Sequence, residues 1–176
     1  IRRVCKASGV TAVYVTHDQA EALSTADRIA LLHEGSVAQV GTPRDLYERP
    51  ASRAVAEFVG EANLLPGTVI DDTTVRCDLG KLQSARVPAG STAGSAIVVC
   101  IRPERLRLRE PGGTGNRVEG TITAASYQGD SGQWRIAVPS AKPVEITVSE
   151  PCPRARAVGD RLVVSIDPED VVVLSA

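Results

Sequence analysis

The sequence predicts an α/β segment over residues 1–61, followed by an all-β domain over residues 62–176. Three observations carry that division. Residues 10–32 read as strand, polar turn, helix and strand. Near Glu61 helix formers give way to Val, Ile, Thr, Gly and Pro, and 9 of the 11 prolines lie beyond it. Short β runs separated by turn residues then recur to the end of the chain, the pattern of a barrel or sandwich.

Residues 1–8 read as a helix with Ile1, Val4 and Cys5 on one face and Gly9 as its stop. No N-cap precedes Ile1, so the helix begins in its middle and the chain is expected to be a fragment lacking its N-terminal part. Residues 12–15 (A-V-Y-V) suit a strand buried on both faces of a parallel sheet. Asp18 is a helix N-cap, and Glu21 is placed to complete a capping box. Leu23 and Ala26 lie on the buried stripe of that helix, and residues 28–32 form the next strand. His17 thus falls at the carboxyl end of a central strand, where open α/β sheets place their ligand crevices.

After a turn at His33-Glu34-Gly35-Ser36, residues 37–40 return as the second arm of a hairpin. Thr42-Pro43-Arg44-Asp45 opens a helix that stops before Pro50. Ser52 caps another, with Val55, Phe58 and Val59 on one face and Gly60 at its end. The β runs expected beyond Glu61 are 68–70, 74–78, 83–87, 96–101, 105–108, 118–124, 134–138, 144–148, 162–166 and 171–174.

Composition narrows the function classes. Residues 1–61 hold 7 basic and 8 acidic groups and residues 62–176 hold 13 of each, which argues against a dedicated nucleic-acid surface. Cys5, Cys77, Cys100 and Cys152 are far apart and form no C-x-x-C pair, so reduced thiols are expected and no zinc site. No apolar run approaches the roughly 20 residues that span a bilayer. His33 reads as a solvent-facing turn residue, and Gly112-Gly113-Thr114-Gly115 as a flexible loop, since no Lys-Ser/Thr pair follows it. Arg102 and Glu104, flanking Pro103, read as a structural ion pair or turn. Trp134 and Tyr127 read as barrel core or rim rather than a stacking platform, and Asp130 and Asp160 as turn residues.

An imidazole at a strand end, beside a helix N-terminus, suits a hydrogen bond to an anionic oxygen. The sequence V-T-H-D-Q-x-E-A followed by A-D-R-I-A-L-L-x-x-G resembles the switch-histidine segment of ATP-binding-cassette (ABC) ATPases. That resemblance implies that His17 is catalytic, contacting the γ-phosphate of ATP and helping to position the attacking water. G-T-P-R-D-L-Y-E-R-P-A-S-R-A-V-A-E-F-V-G resembles the importer branch of that family. A-N-L-L-P-G-T-V, I-R-P-E and V-G-D-R-L-V-V-S-I-D-P-E-D-V-V-V-L resemble its transport-associated OB (TOBE) domain. The phosphate loop, the L-S-G-G-Q signature and the strand ending in Asp-Glu, which the family places before the switch histidine, are not found in these 176 residues.

The resemblance implies the C-terminal part of an α/β nucleotide-binding domain over residues 1–61, then an all-β OB-like barrel over residues 62–176. The parent protein would be the ATP-binding subunit of an ABC importer, using ATP and Mg²⁺. It would work as a homodimer on membrane permease subunits at the cytoplasmic face of the membrane, without inserting into the bilayer. The solute would be ferric iron, a polyamine or a sugar. Without the missing motifs, this chain alone is expected to be inactive. The alternative is a stand-alone OB-like module for solute sensing or subunit pairing with a vestigial ATPase segment. An OB-type nucleic-acid binder stands third.

Overall fold

The computed structural model describes residues 2–109, 115–140, 142–151 and 155–175. The chain forms two compact units, Ile1–Gly60 and Glu61–Ala176.

In the first unit, α1 (Arg2–Ser8) ends at Gly9, whose φ of +68° suits a residue without a Cβ. Arg2 and Lys6 project from α1 to the Asp27 carboxylate at 3.2 and 2.8 Å, and the Lys6 contact lowers the Asp27 pKa. α2 (Gln19–Thr25) is capped by Asp18, which accepts from the Glu21 N–H. β1 (Ile29–His33) and β2 (Ser36–Gly41) form an antiparallel hairpin. Its two central turn residues, Glu34 and Gly35, both have positive φ, the geometry that matches the right-handed strand twist. α3 (Pro43–Glu48) carries a complete capping box between Thr42 and Asp45, and α4 (Arg53–Val59) is capped by Ser52. The Gln39 side chain donates to the Arg49 carbonyl and accepts from the Ala51 N–H, which ties β2 to the α3–α4 loop across Pro50. Leu31, Leu46, Val55 and Val59 form the small core, with Leu23, Ile29, Ala38 and Tyr47 around it.

Three expectations for this unit are corrected. Residues 12–15 are not a strand, and Val13 and Val15 are 93% and 89% exposed. A strand needs a neighbouring ladder, and among the described residues the unit's one sheet is a two-stranded antiparallel hairpin that does not pair with this segment. His17 therefore does not end a central parallel strand. The Glu21 carboxylate does not close a capping box, because Thr16 Oγ1 already accepts the Asp18 N–H. Phe58 is half exposed, and Ala56 takes its place on the buried face of α4.

The second unit is a tandem repeat. Its first half runs β3 (Asn63–Val69), β4 (Thr74–Cys77), β5 (Gly80–Gln83), β6 (Ala96–Ile101), a 3₁₀ turn (Pro103–Arg105) and β7 (Leu106–Arg109). The second half runs β8 (Asn116–Tyr127), β9 (Ser131–Val138), β10 (Val144–Pro151), β11 (Arg161–Ile166), a 3₁₀ turn (Pro168–Asp170) and β12 (Val172–Ser175). The sheet orders are β12-β6-β3-β4-β5 and β7-β11-β8-β9-β10, so each half lends its last strand to the other's sheet. The sequence carries the same echo. N-L-L-P-G-T-V at 63–69 answers N-R-V-E-G-T-I at 116–122, and I-R-P-E-R at 101–105 answers I-D-P-E-D at 166–170. Both repeat glycines are forced by close approach. A Cβ on Gly67 would meet the Arg76 carbonyl at 2.5 Å, and one on Gly120 would meet Ile136 Cγ2 at 2.4 Å.

Two buried asparagines join the sheets. Asn63 donates to the Thr147 carbonyl at 2.8 Å and accepts the Thr147 N–H at 2.7 Å. Asn116 donates to the Gln83 carbonyl at 2.7 Å and accepts the Gln83 N–H at 2.6 Å. Val99, Ile101, Leu106, Ile136, Val148 and Val164 are among the side chains packed between them in one shared core.

The expected run 83–87 is the β prediction that shifts most: β5 ends at Gln83. Beyond it, Ser84 Oγ donates to the Val171 carbonyl, the Ala85 N–H donates to the Pro168 carbonyl, and Arg86 bridges to Val172 in parallel. These bonds draw the two edges of the first sheet together into an OB-like curl. The runs at 118–124 and 134–138 belong to longer strands, with the register shifting between Ile122 and Ala124. The glycine-rich run at 112–115 lies almost wholly outside the described residues.

Removing either asparagine leaves a part-buried peptide N–H and C=O of an edge strand without their protein partners. Asn63→Ala and Asn116→Ala are each expected to lower unfolding free energy by about 1–3 kcal/mol, measured by urea denaturation. The repeat turns also face each other through Arg105–Asp170 at 3.5 Å and Arg107–Asp167 at 3.6 Å. Burial raises the Asp170 pKa above its ordinary 3.8, outweighing Arg105. The folded state therefore holds this proton more tightly than the unfolded state. Stability from this group is greatest in acid and falls as pH rises through the raised pKa. Urea midpoints of Asp170→Asn relative to the parent chain should shift in the variant's favour as pH rises from acid to neutral.

Candidate functional site

His17 stands in the short link between residues 12–15 and α2, exposed to solvent. Among the described residues, none hydrogen-bonds its imidazole or forms an ion pair with it. The residues on either side are held firmly. Thr16 Oγ1 accepts the Asp18 N–H at 3.0 Å. Asp18 Oδ1 accepts the Glu21 N–H at 3.0 Å. Glu21 Oε2 accepts from Thr16 Oγ1 at 3.0 Å and from Tyr14 Oη at 2.9 Å. The hydrogen bond and the negative charge of Glu21 raise the Tyr14 pKa above its ordinary value. The chain thus presents one imidazole at the apex of a polar loop.

Sequence reasoning found His17 and Asp18 but missed the joint role of Tyr14, Thr16 and Glu21. The available signal was the alternation of Tyr14 and Thr16, which turns both hydroxyls to one side. As for nucleotide and Mg²⁺, the residues here supply one donor to a phosphate. Among the described residues no group of three or more His, Cys, Asp or Glu could hold a metal ion. These residues do not make a complete MgATP site.

The other candidates fall into structural places. His33 is half exposed, 4.0 Å from Glu34, and lines an open depression of about 570 Å³ with Gln19, Arg53, Ala54, Glu57 and Phe58. His17 is not among the lining residues. Arg102 is buried and donates to the Glu61 carbonyl at 3.0 Å, while Glu104 is exposed. Trp134 is 4% exposed and belongs to the core, whereas Tyr127 is 74% exposed at the end of β8. Arg156, which the sequence did not single out, lies over the Trp134 ring at 5.2 Å and pairs with Glu150 at 2.6 Å. Asp130 and Asp160 sit in turns, Asp160 accepting the Ala157 N–H at 2.8 Å. Cys5, Cys77 and Cys100 are free thiols, Cys152 lies outside the described residues, and burial raises the pKa of Cys77 and Cys100. No described helix is long and apolar enough to cross a membrane.

Comparison with known proteins gives this geometry a setting. Residues 99–174 match the TOBE domain family. The chain is 39% identical over 142 residues to the spermidine/putrescine import ATP-binding protein PotA of Thermobifida fusca, covering 77% of this chain and 37% of the relative. It is 33% identical over 174 residues to PotA of Borreliella afzelii, covering 99% of this chain and 48% of the relative. It is 41% identical over 137 residues to the Fe(3+) ions import ATP-binding protein FbpC of Brucella abortus, covering 77% of this chain and 38% of the relative. The chain therefore spans less than half the length of these relatives. In fold, it is similar to the cytoplasmic molybdate-binding protein ModG, with a TM-score of 0.56 and 16% identity over 65% of this chain and 96% of that one.

Proposed function

We propose, from the kinship of this chain with the C-terminal parts of ABC importer ATP-binding subunits, that it is part of such a subunit. In this reading residues 1–61 complete the α/β nucleotide-binding domain and residues 62–176 are its TOBE domain. The relatives import polyamines and Fe(3+) by name, and one of these solute classes is the cargo proposed here. The working partners are membrane permease subunits and a second ATP-binding subunit, with the protein peripheral to the membrane.

The observation that supports this best is His17. Its imidazole is exposed and has no hydrogen-bond or ion-pair partner among the described residues, while the residues on both sides are fixed. Such a group suits a hydrogen bond to a terminal phosphate oxygen of ATP bound by the rest of the subunit. Its contact grows as negative charge develops on that oxygen, so it acts mainly in the transition state. The OB-like unit, on this reading, pairs subunits or senses a small effector. A second reading makes that unit a solute-sensing module, and the fold shared with a molybdate-binding protein favours it.

Two measurements test the ATPase reading. In the full-length subunit, His17→Ala should lower kcat by about 10²–10⁴-fold with little change in KM for MgATP. An unchanged kcat would remove His17 from the reaction. The 176-residue chain itself should show no micromolar affinity for MgATP by calorimetric titration. Micromolar binding needs about 8 kcal/mol, whereas one hydrogen bond to a charged group gives about 1.5–3 kcal/mol.

A further inference from the structure

The geometry points to Glu21 as the positioning residue that fixes the His17 backbone for contact with a phosphate, acting through Thr16 and Asp18. This inference rests on the reading of His17 given above.

The hydrogen bonds form a closed ring around the peptide that carries the histidine. Thr16 Oγ1 donates to Glu21 Oε2 and receives the Asp18 N–H, and Asp18 Oδ1 receives the Glu21 N–H. Every link measures 3.0 Å. His17 is the one residue between the two anchored neighbours, and its side chain stays exposed. Tyr14 adds a second donor to the same carboxylate oxygen at 2.9 Å. That contact extends the hold to the chain entering the loop.

Capping of α2 does not account for the carboxylate. The cap contact uses the Glu21 backbone N–H, and the donor that a capping box would offer, the Asp18 N–H, goes to Thr16. The side chain is therefore spent on the approach to His17 rather than on the helix end. A carboxylate suits this place because it only accepts, and both hydroxyls are turned to donate. Charge-assisted bonds of this kind are stronger than those between neutral groups.

The test uses the full-length ATP-binding subunit with steady-state MgATP hydrolysis. Glu21→Ala should lower kcat about tenfold to a hundredfold, because a small misplacement of a reacting group costs that much. KM for MgATP should stay within about twofold, since ground-state binding is not what the ring supports. Glu21→Gln keeps an acceptor oxygen for both hydroxyls and should recover most of the rate. In a His17→Ala background, Glu21→Ala should cost nothing further, as expected of a residue that acts through the imidazole. A wild-type kcat for Glu21→Ala beside an inactive His17→Ala would overturn this inference and leave the ATPase reading standing. A wild-type kcat for His17→Ala would overturn the ATPase reading itself. An additive loss in the double variant would give Glu21 an independent role and also overturn the inference. In the 176-residue chain, NMR titration of ring-labelled tyrosine should show the Tyr14 midpoint falling toward its ordinary value in Glu21→Gln. An unmoved midpoint would mean that the ring does not hold.

Discussion

The second unit depends on two asparagine side chains. Asn63 opens the first strand of one half and binds the backbone of β10 in the other, and Asn116 opens the first strand of the other half and binds the backbone of β5. Each amide turns an N–H and its C=O toward the partner strand in the spacing of a peptide group, and Asn63 also donates to the Ile101 carbonyl at 3.3 Å. The amide therefore answers a peptide N–H and C=O at once, as a neighbouring strand would. β5 and β10 are the outer strands of their sheets, where backbone groups lack a ladder. An aspartate would lose the donor and a leucine would lose both groups, so few residues replace asparagine here.

The exchange of last strands makes the two halves one folding unit. β12 pairs along β6, and β7 pairs along β11, so neither sheet is complete within its own half. The apolar core is shared for the same reason, since side chains from both sheets lie in a single cluster. The two 3₁₀ turns that redirect the chain into these strands, with the residues beside them, carry opposite charge: Arg105 and the β7 residue Arg107 against Asp170 and Asp167. Arg107–Asp167 is open to solvent and adds little stability, and burial of Asp170 offsets part of the attraction to Arg105. The effect of both pairs is on matching, because the contact between unlike turns is attractive and one between like turns would be repulsive.

Much of the fold was legible where the physics is local. Thr42, Pro43 and Asp45 specified α3 by capping, Ser52 specified α4, and Glu34-Gly35 specified the hairpin. The β character beyond Glu61 was legible from β-branched runs between turn residues. What the sequence hid was pairing at a distance. The edge role of 84–86 depends on Pro168 and Val171, more than 80 residues away, and no local pattern announces it. The tandem repeat did leave a trace, in N-x-x-x-G-T and I-x-P-E occurring twice. Each motif is short, and a repeat spaced by more than 50 residues stands out only once the strands it opens are seen to pair.

The same distinction between local and distant forces explains the first unit. Residues 12–15 have the composition of a buried strand, yet composition only favours a strand; the ladder has to come from a neighbour. Neither strand of the unit's described hairpin pairs with these residues, and they stay exposed. The loop that follows needs no such neighbour. Its hydrogen bonds close within residues 14–21, between side chains that the sequence places side by side. The conformation around His17 is therefore encoded by the segment itself. A switch-like contact has good reason to be built this way. On the proposed reading of His17, hydrogen bonds that close within the segment would order the loop before a phosphate arrives.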